Sequence, residues 1–85
     1  MPDFLTNMPV NSRADFAKFL ILLHQDLLTN PHKWENQTLE RFLEAMAAYA
    51  EDIQGFYDNT RQPLNADEPT WQNFTNILRG ASVYE

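Results

Sequence analysis

The 85-residue sequence contains no cysteine, only two glycines and only six basic residues. Without cysteine the chain forms no disulfide and offers no thiolate as a metal ligand or nucleophile. Its two glycines, Gly55 and Gly80, stand too far apart for a phosphate-binding loop. Apolar residues make up 44% of the chain, enough to bury a core, and the length suits one domain. We therefore expect a folded single domain held by its hydrophobic core.

Positive charge is scarce, because six basic residues stand against twelve acidic ones and give a formal net charge of −6. An acidic surface repels phosphates, so nucleic acid and anionic membranes are not expected partners. Long apolar runs are also missing: a run such as residues 19–23 is far shorter than the roughly twenty residues of a membrane span. Residues 1–10 lack the basic start and apolar stretch of a secretory signal. The expected location is cytoplasmic.

Helical periodicity is the main feature that the sequence does contain. Apolar residues recur every three or four positions in segments of about 12–29, 38–54 and 69–80. Ser12 is the predicted N-cap of the first helix, and Pro31 follows its end. Gly55 is predicted to stop the second helix and Pro69 to begin the third. The sequence therefore predicts an all-α fold, a compact bundle of three main helices with short extra turns, in a single domain of residues 12–85 after a lead-in of residues 1–11.

The predicted core occupies one side of each helix. The first helix carries more apolar residues than one side needs, because Ile21, Leu22 and Leu28 fall outside its stripe. Such a helix is expected to pack between two neighbours or to associate with a second copy. The predicted core residues are Phe16, Phe19, Leu20, Leu23 and Leu27, then Leu39, Phe42, Leu43, Met46, Tyr49, Ala50 and Ile53, and finally Trp71, Phe74, Ile77, Leu78 and Ala81.

Three glutamates of the second helix, Glu40, Glu44 and Glu51, form a predicted acidic ridge. At 100° per residue they project within about 40° of one another, roughly opposite the apolar side. The ridge is either a contact surface for a basic protein partner or the solvated back of an amphipathic helix. A metal site is not predicted here, because Glu44 and Glu51 are two turns apart and nothing nearby completes a coordination shell.

The sequence shows no recognisable catalytic set, so we predict no enzyme activity, no metal and no cofactor. The two histidines, His24 and His32, have no histidine partner at helical spacing and no His-Glu-x-x-His pattern. Residues 52–59 superficially resemble a calcium loop, but they lack the alternating ligands before the glycine and the closing glutamate.

Two aromatic residues beside helix ends, Trp34 and Tyr57, allow two interpretations. Exposed tryptophan and tyrosine side chains are good anchors in protein interfaces. The same side chains also close the ends of small bundles, where the ring is buried and the polar atom reaches a partner. We favour closure of the bundle and keep both residues as candidate partner contacts.

A run of residues with a recognisable pattern begins with Trp-Glu-Asn at residues 34–36 and continues with Leu39 and Phe-Leu-Glu-Ala at residues 42–45. With these residues the chain, from residue 12 to residue 85, resembles a family of short, acidic bacterial proteins classified as a domain of unknown function. The resemblance implies a bacterial, cytoplasmic domain and brings no activity or catalytic residues. Further matching residues are Asp52, Gly55, Tyr57, Asn59, Pro69, Trp71, Phe74, Tyr84 and Glu85.

Three functional classes follow from these features. The leading hypothesis is a non-enzymatic protein-binding module, immunity-like or regulatory, whose basic partner contacts Glu40, Glu44, Glu51, Trp34 and Tyr57. The alternative is a structural homo-oligomer, such as a homodimer formed through the first helix. The remote alternative is a small enzyme or metal-binding domain, which metal analysis of the protein would test.

Overall fold

The computed structural model describes residues 8–84. Within this part of the chain, α1 spans Arg13–Thr29, α2 spans Leu39–Asn59 and α3 spans Trp71–Ala81, and a 3-10 turn at Pro31–Lys33 follows α1. The described residues contain no strand. The predicted all-α bundle of three main helices is confirmed. Most of the predicted lead-in, residues 1–7, lies outside the described residues.

Each helix begins after a hydroxyl side chain that acts as its N-cap. Ser12, Thr38 and Thr70 each accept a hydrogen bond from the backbone amide three residues further on, at 3.1, 3.2 and 3.1 Å. These bonds satisfy amides that have no partner inside the helix. The Ser12 cap is therefore confirmed. The predicted start of the third helix at Pro69 is corrected to Trp71, because Thr70 is the residue that caps it.

The second helix does not stop at Gly55, as predicted, but continues to Asn59. Glycine inside a helix costs roughly 0.5–1 kcal/mol relative to alanine. Ile53 and Tyr57, on either side of Gly55, are both buried, and their burial outweighs that local cost. The chain turns only at Arg61, which adopts the left-handed conformation with φ 58°.

The connection between α2 and α3 is held by two side-chain amides. Gln54 donates to the Leu64 carbonyl at 3.1 Å and accepts from the Ala66 amide at 2.7 Å. Asn73 donates to two more carbonyls of the connection, those of residues 65 and 68, both at 2.8 Å. These bonds tie the predicted polar connection to both helices that it joins.

The third helix is the centre of the molecule, because it packs against both α1 and α2. Its polar side meets α2, where the Tyr57 hydroxyl donates to Asn73 Oδ1 at 2.8 Å and accepts from Asn76 Nδ2 at 2.9 Å. Towards α1, Trp71 lies 5.4 Å from the ring of Phe16. Within residues 8–84, the buried apolar residues are Val10, Phe19, Leu23, Trp34, Ala45, Ile53, Tyr57 and Ala81.

Of the predicted core, some residues are buried, others such as Phe16, Leu27, Phe42 and Leu78 are half-buried and pack against the buried cluster, and the remainder include exposed residues. Phe19, Leu23, Ile53 and Ala81 are buried as predicted. The third helix buries Asn73, Thr75 and Asn76 while its aromatic residues stay exposed. The two asparagines are the polar partners that the buried Tyr57 hydroxyl requires. The predicted core residues that the structure exposes are Leu20, Leu39, Leu43, Ala50, Trp71 and Phe74.

Candidate functional site

An apolar groove of about 330 Å³ opens between α1 and α2. It exists because both helices pack on α3 and little of α1 packs directly against α2. Its floor is the side of the core that α3 does not cover. The lining residues are Leu20, Leu23, His24 and Leu27 of α1, Trp34, Asn36, Gln37 and Thr38 of the connection, and Leu39 and Phe42 of α2.

Apart from the exposed His24, the polar side chains that line this groove already bond within the chain. Trp34 Nε1 donates to Asp26 Oδ2 at 2.9 Å. The Asn36 amide donates to two carbonyls, and so does the Gln37 amide, while the Thr38 hydroxyl caps α2. Small-molecule sites require a few convergent polar groups that are free to fix the ligand. The groove is therefore better suited to apolar side chains than to a polar small molecule.

Exposed leucines lie at the rim of the groove and next to it. Leu39, at the start of α2, is 74% exposed, and Leu20 and Leu43 are exposed as well. At 100° per residue Leu39, Leu43 and Ala50 project within about 40° of one another. We call this row, together with the exposed Ala47 beside it, the apolar strip of α2.

The acidic ridge of Glu40, Glu44 and Glu51 lies next to the apolar strip. All three side chains are exposed. At 100° per residue, the order of side chains around α2 is Leu43, then Ala47, then the three glutamates, which lie further from the core. The helix thus presents an apolar strip and a row of carboxylates side by side over nearly the same length of about 16 Å, at 1.5 Å per residue.

The structure places the two candidate aromatic contacts in the core. Trp34 is 7% exposed and Tyr57 is 1% exposed, and both bond through their polar atoms, to Asp26 and to Asn73 and Asn76. These side chains therefore close the bundle, as the favoured interpretation predicted. Their assignment as partner contacts is corrected, because a buried ring whose polar atom is already bonded offers no surface to a partner.

A second, more polar depression of about 570 Å³ lies beside the C-terminal residues. It is lined by Glu35, Arg41, Glu44 and Tyr84, among others. Tyr84 Oη donates to Asp52 Oδ2, and this hydrogen bond raises the pKa of the Tyr84 hydroxyl above its ordinary value. The two acidic groups and the single guanidinium in its lining match no catalytic set that we recognise.

The pKa values of two side chains are shifted where α2 meets α3. Burial raises the pKa of Tyr49, with a further contribution from Tyr57. Burial also lowers the pKa of Arg79, which donates to Asn76 Oδ1 at 2.9 Å. These shifts arise from packing between the two helices, away from the groove.

The described residues show no group of three or more metal-ligating side chains. His24 lies at the edge of the groove and His32 lies in the 3-10 turn, so the structure does not bring the two together with acidic ligands. Over residues 8–84, no helix has both the length and the apolar character that crossing a membrane requires.

Sequence reasoning missed the groove, because it treated Leu20 and Leu39, which are exposed at its rim, as core residues. The available signal was the excess of apolar residues on α1 together with a leucine directly after the Thr38 cap. A residue in the first turn of a helix is often beyond the reach of the neighbouring elements. Only the divergence of α1 from α2 shows that these side chains border open space.

The fold and the groove together define a small all-α bundle that exposes an apolar surface beside a row of carboxylates. By sequence, the chain belongs to a family of unknown function, DUF7660, whose model matches residues 12–85. The resemblance to a domain of unknown function is confirmed at that level. No curated protein and no solved structure matches the chain.

Proposed function

We propose that this protein is a non-enzymatic protein-binding module, in a regulatory or immunity-like role, and that the groove between α1 and α2 is its binding surface. The observation that carries the proposal is the exposure of Leu39 at 74% beside an apolar groove. Burying a leucine side chain contributes about 1.5–3 kcal/mol, so a surface of this kind gains free energy when a partner covers it. The acidic ridge next to the apolar strip, which continues from Leu39 at the rim of the groove, favours a basic protein.

Two matched variants test the binding surface. Leu39→Glu places a charge at the rim of the groove, whereas Leu28→Glu places the same charge at a leucine of similar exposure, 69%, outside the groove lining. Both side chains are exposed, so both variants are expected to fold, with melting temperatures close to that of the wild type. Wild type, Leu39→Glu and Leu28→Glu are then used as baits in a lysate of the source organism.

The expected result is a protein that wild type and Leu28→Glu retain and that Leu39→Glu loses. Titration of the purified partner should show an affinity reduced more than about tenfold for Leu39→Glu, because a leucine contact is lost and a charge is buried. Equal retention by Leu39→Glu would place the binding surface elsewhere. Recovery of the bait alone would favour the second candidate function.

The second candidate function is a structural homo-oligomer formed through α1. It is favoured by the exposure of Ile21 and Leu28 on the outer side of that helix, at 58% and 69%. Leu22, the third residue outside the predicted stripe, packs partly against the core and needs no further cover. Light scattering distinguishes the two functions: a dimer that Ile21→Glu/Leu28→Glu dissociates supports self-association, and a monomer at high concentration excludes it.

A further inference from the structure

We infer that the groove between α1 and α2 receives an amphipathic helix of the partner, with lysine or arginine residues along the flank that faces the acidic ridge. This inference rests on the proposed function and adds the shape and the charge of the bound segment. It draws on the arrangement of the three helices, on the polar bonds along the groove and on the order of side chains around α2.

The shape of the occupant follows from the way the three helices pack. Both α1 and α2 pack on α3, and the groove lies where a further rod would contact both of them. A helix seated there completes a four-helix arrangement around the exposed side of the core. The apolar strip repeats at helical spacing on α2, at residues 39, 43 and 50, so apolar residues at i, i+3, i+4 and i+7 of a second helix can meet it.

The side chains of α2 also permit a close approach. Ala47 and Ala50 are exposed and small. Distances between packed helix axes depend on the side chains at the contact, within about 8–10 Å. Alanines therefore let a second helix lie near α2, while Leu39 and Leu43 contact its apolar side.

The charge of the occupant follows from the neighbouring ridge. A helix that covers the apolar strip brings one flank over Glu40, Glu44 and Glu51, and a cation on that flank is stabilised by the carboxylates. An acidic flank would be repelled at the same positions. A second copy of this chain fits less well, because its six basic residues are outnumbered by twelve acidic ones and α1 carries only Arg13 and Lys18.

The test uses a display library of helical peptides of about 18 residues, or roughly 27 Å of helix. Apolar residues are placed at i, i+3, i+4 and i+7, and the flanking positions encode lysine, glutamate, glutamine and alanine equally. The library is selected on the wild-type protein. Enriched peptides are synthesised, labelled and titrated by fluorescence anisotropy against variants whose folding is checked by thermal unfolding.

Two charge-matched variants separate the ridge from net charge. Glu40→Gln/Glu44→Gln neutralises part of the ridge, and Asp67→Asn/Glu68→Gln removes the same number of charges from the connection before α3. The first pair should weaken binding about fivefold and reduce its dependence on salt. The second pair should change the affinity less than about twofold, because those two acids lie in the connection before α3 and not on α2 next to the apolar strip.

The supporting result is enrichment of lysine on one flank, with binding lost in Leu39→Glu, kept in Leu28→Glu and weakened by the ridge pair alone. Peptides that require Leu39 but show no preference for lysine would overturn the inferred charge while the proposed binding surface stands. Enrichment of no peptide, or of peptides that bind Leu39→Glu equally well, would overturn the helical occupant. The capture experiment above then decides the proposed function independently.

Discussion

Gly80 lies where α3 passes closest to the ring of Tyr49. A Cβ added to Gly80 would stand 2.6 Å from Tyr49 Cδ2 and nearer still to Cε2 and Cζ. The Tyr49 ring has little freedom to move aside, because it packs against Phe56 at 6.4 Å and Tyr84 at 5.0 Å between ring centroids. Gly55, by contrast, has nothing within 4 Å of an added Cβ.

Substitution of the two helical glycines by alanine should therefore change the free energy of unfolding in opposite directions. Gly80→Ala should lower the free energy of unfolding by about 1–3 kcal/mol, because overpacking outweighs the gain in helix propensity. Gly55→Ala should raise it by roughly 0.5–1 kcal/mol. Denaturant unfolding of both variants checks this, and a stabilised Gly80→Ala would show that the contact with Tyr49 is not tight.

The hydroxyl of Tyr57 is the polar link between α2 and α3. Tyr57→Phe should cost about 1–3 kcal/mol, because Asn73 Oδ1 and Asn76 Nδ2 each lose a buried partner. Thr75→Val is the matched control, since the buried Thr75 hydroxyl has no hydrogen-bond partner within residues 8–84. This control should be neutral or stabilising in thermal unfolding. Equal losses in both variants would contradict the role assigned to the Tyr57 hydroxyl.

Among the elements, the segment after the 3-10 turn joins the two ends of the fold. Trp34 is buried with its Nε1 on Asp26 of α1. The backbone amides of Glu35 and Asn36 donate to the Ser82 carbonyl at 3.0 and 3.2 Å, and the Asn36 side chain donates to the Ala81 and Tyr84 carbonyls at 2.8 and 2.7 Å. The Trp-Glu-Asn pattern thus holds the end of α3.

Asn36→Ala should destabilise the protein by about 1–2 kcal/mol, because two hydrogen bonds to the end of α3 are lost. Gln37→Ala is the control: its amide also donates two bonds, to the Pro31 and Trp34 carbonyls, but these close only a local turn. Its cost should be smaller than that of Asn36→Ala in urea unfolding. A reversed order would show that the local turn matters more than the link to α3.

For the molecule as a whole, two tyrosines packed where α2 meets α3 and the C-terminal residues make the stability fall at high pH. Burial raises the pKa of Tyr49 above 10.0, and the hydrogen bond to Asp52 raises that of Tyr84. A raised pKa in the folded state means that stability is complete below the unfolded value and is lost as pH rises through the folded value. Stability should therefore fall above pH of about 10.

Comparison with Tyr49→Phe and Tyr84→Phe isolates the contribution of these two hydroxyl groups. The free energy of unfolding is measured at intervals from about pH 8 to about pH 11. Each variant should show a shallower fall than the wild type, and tyrosinate absorbance should titrate later in the folded than in the unfolded protein. Parallel curves for wild type and variants would refute the assignment.

The groove is a property of the whole molecule, because no single helix contains it. Each helix would be an ordinary amphipathic helix if the other two covered its apolar side. Since α3 uses its polar side to bond with Tyr57 and its apolar side to meet α1, α1 and α2 are held apart. Leu39 and Phe42 then border open space instead of a closed core.

The sequence by itself determined the helices, because the causes of helix formation are local. The Ser12 cap, the stop before Pro31 and the apolar repeats act over a few residues each, and the three helices lie within a few residues of their predicted bounds. The exposed acidic ridge followed from the same periodicity. Gly55 was the exception, since the burial of Ile53 and Tyr57 outweighs its local preference.

Only the tertiary structure decided which sides of these helices are buried. The buried asparagines of α3, the burial of Trp34 and Tyr57 and the exposure of Leu39 each depend on partners far away in the chain. Periodicity reports that a helix has an apolar side, but it does not report whether a neighbour reaches that side. That is why the groove, the surface proposed here to bind a partner, could be found only once the three helices were placed together.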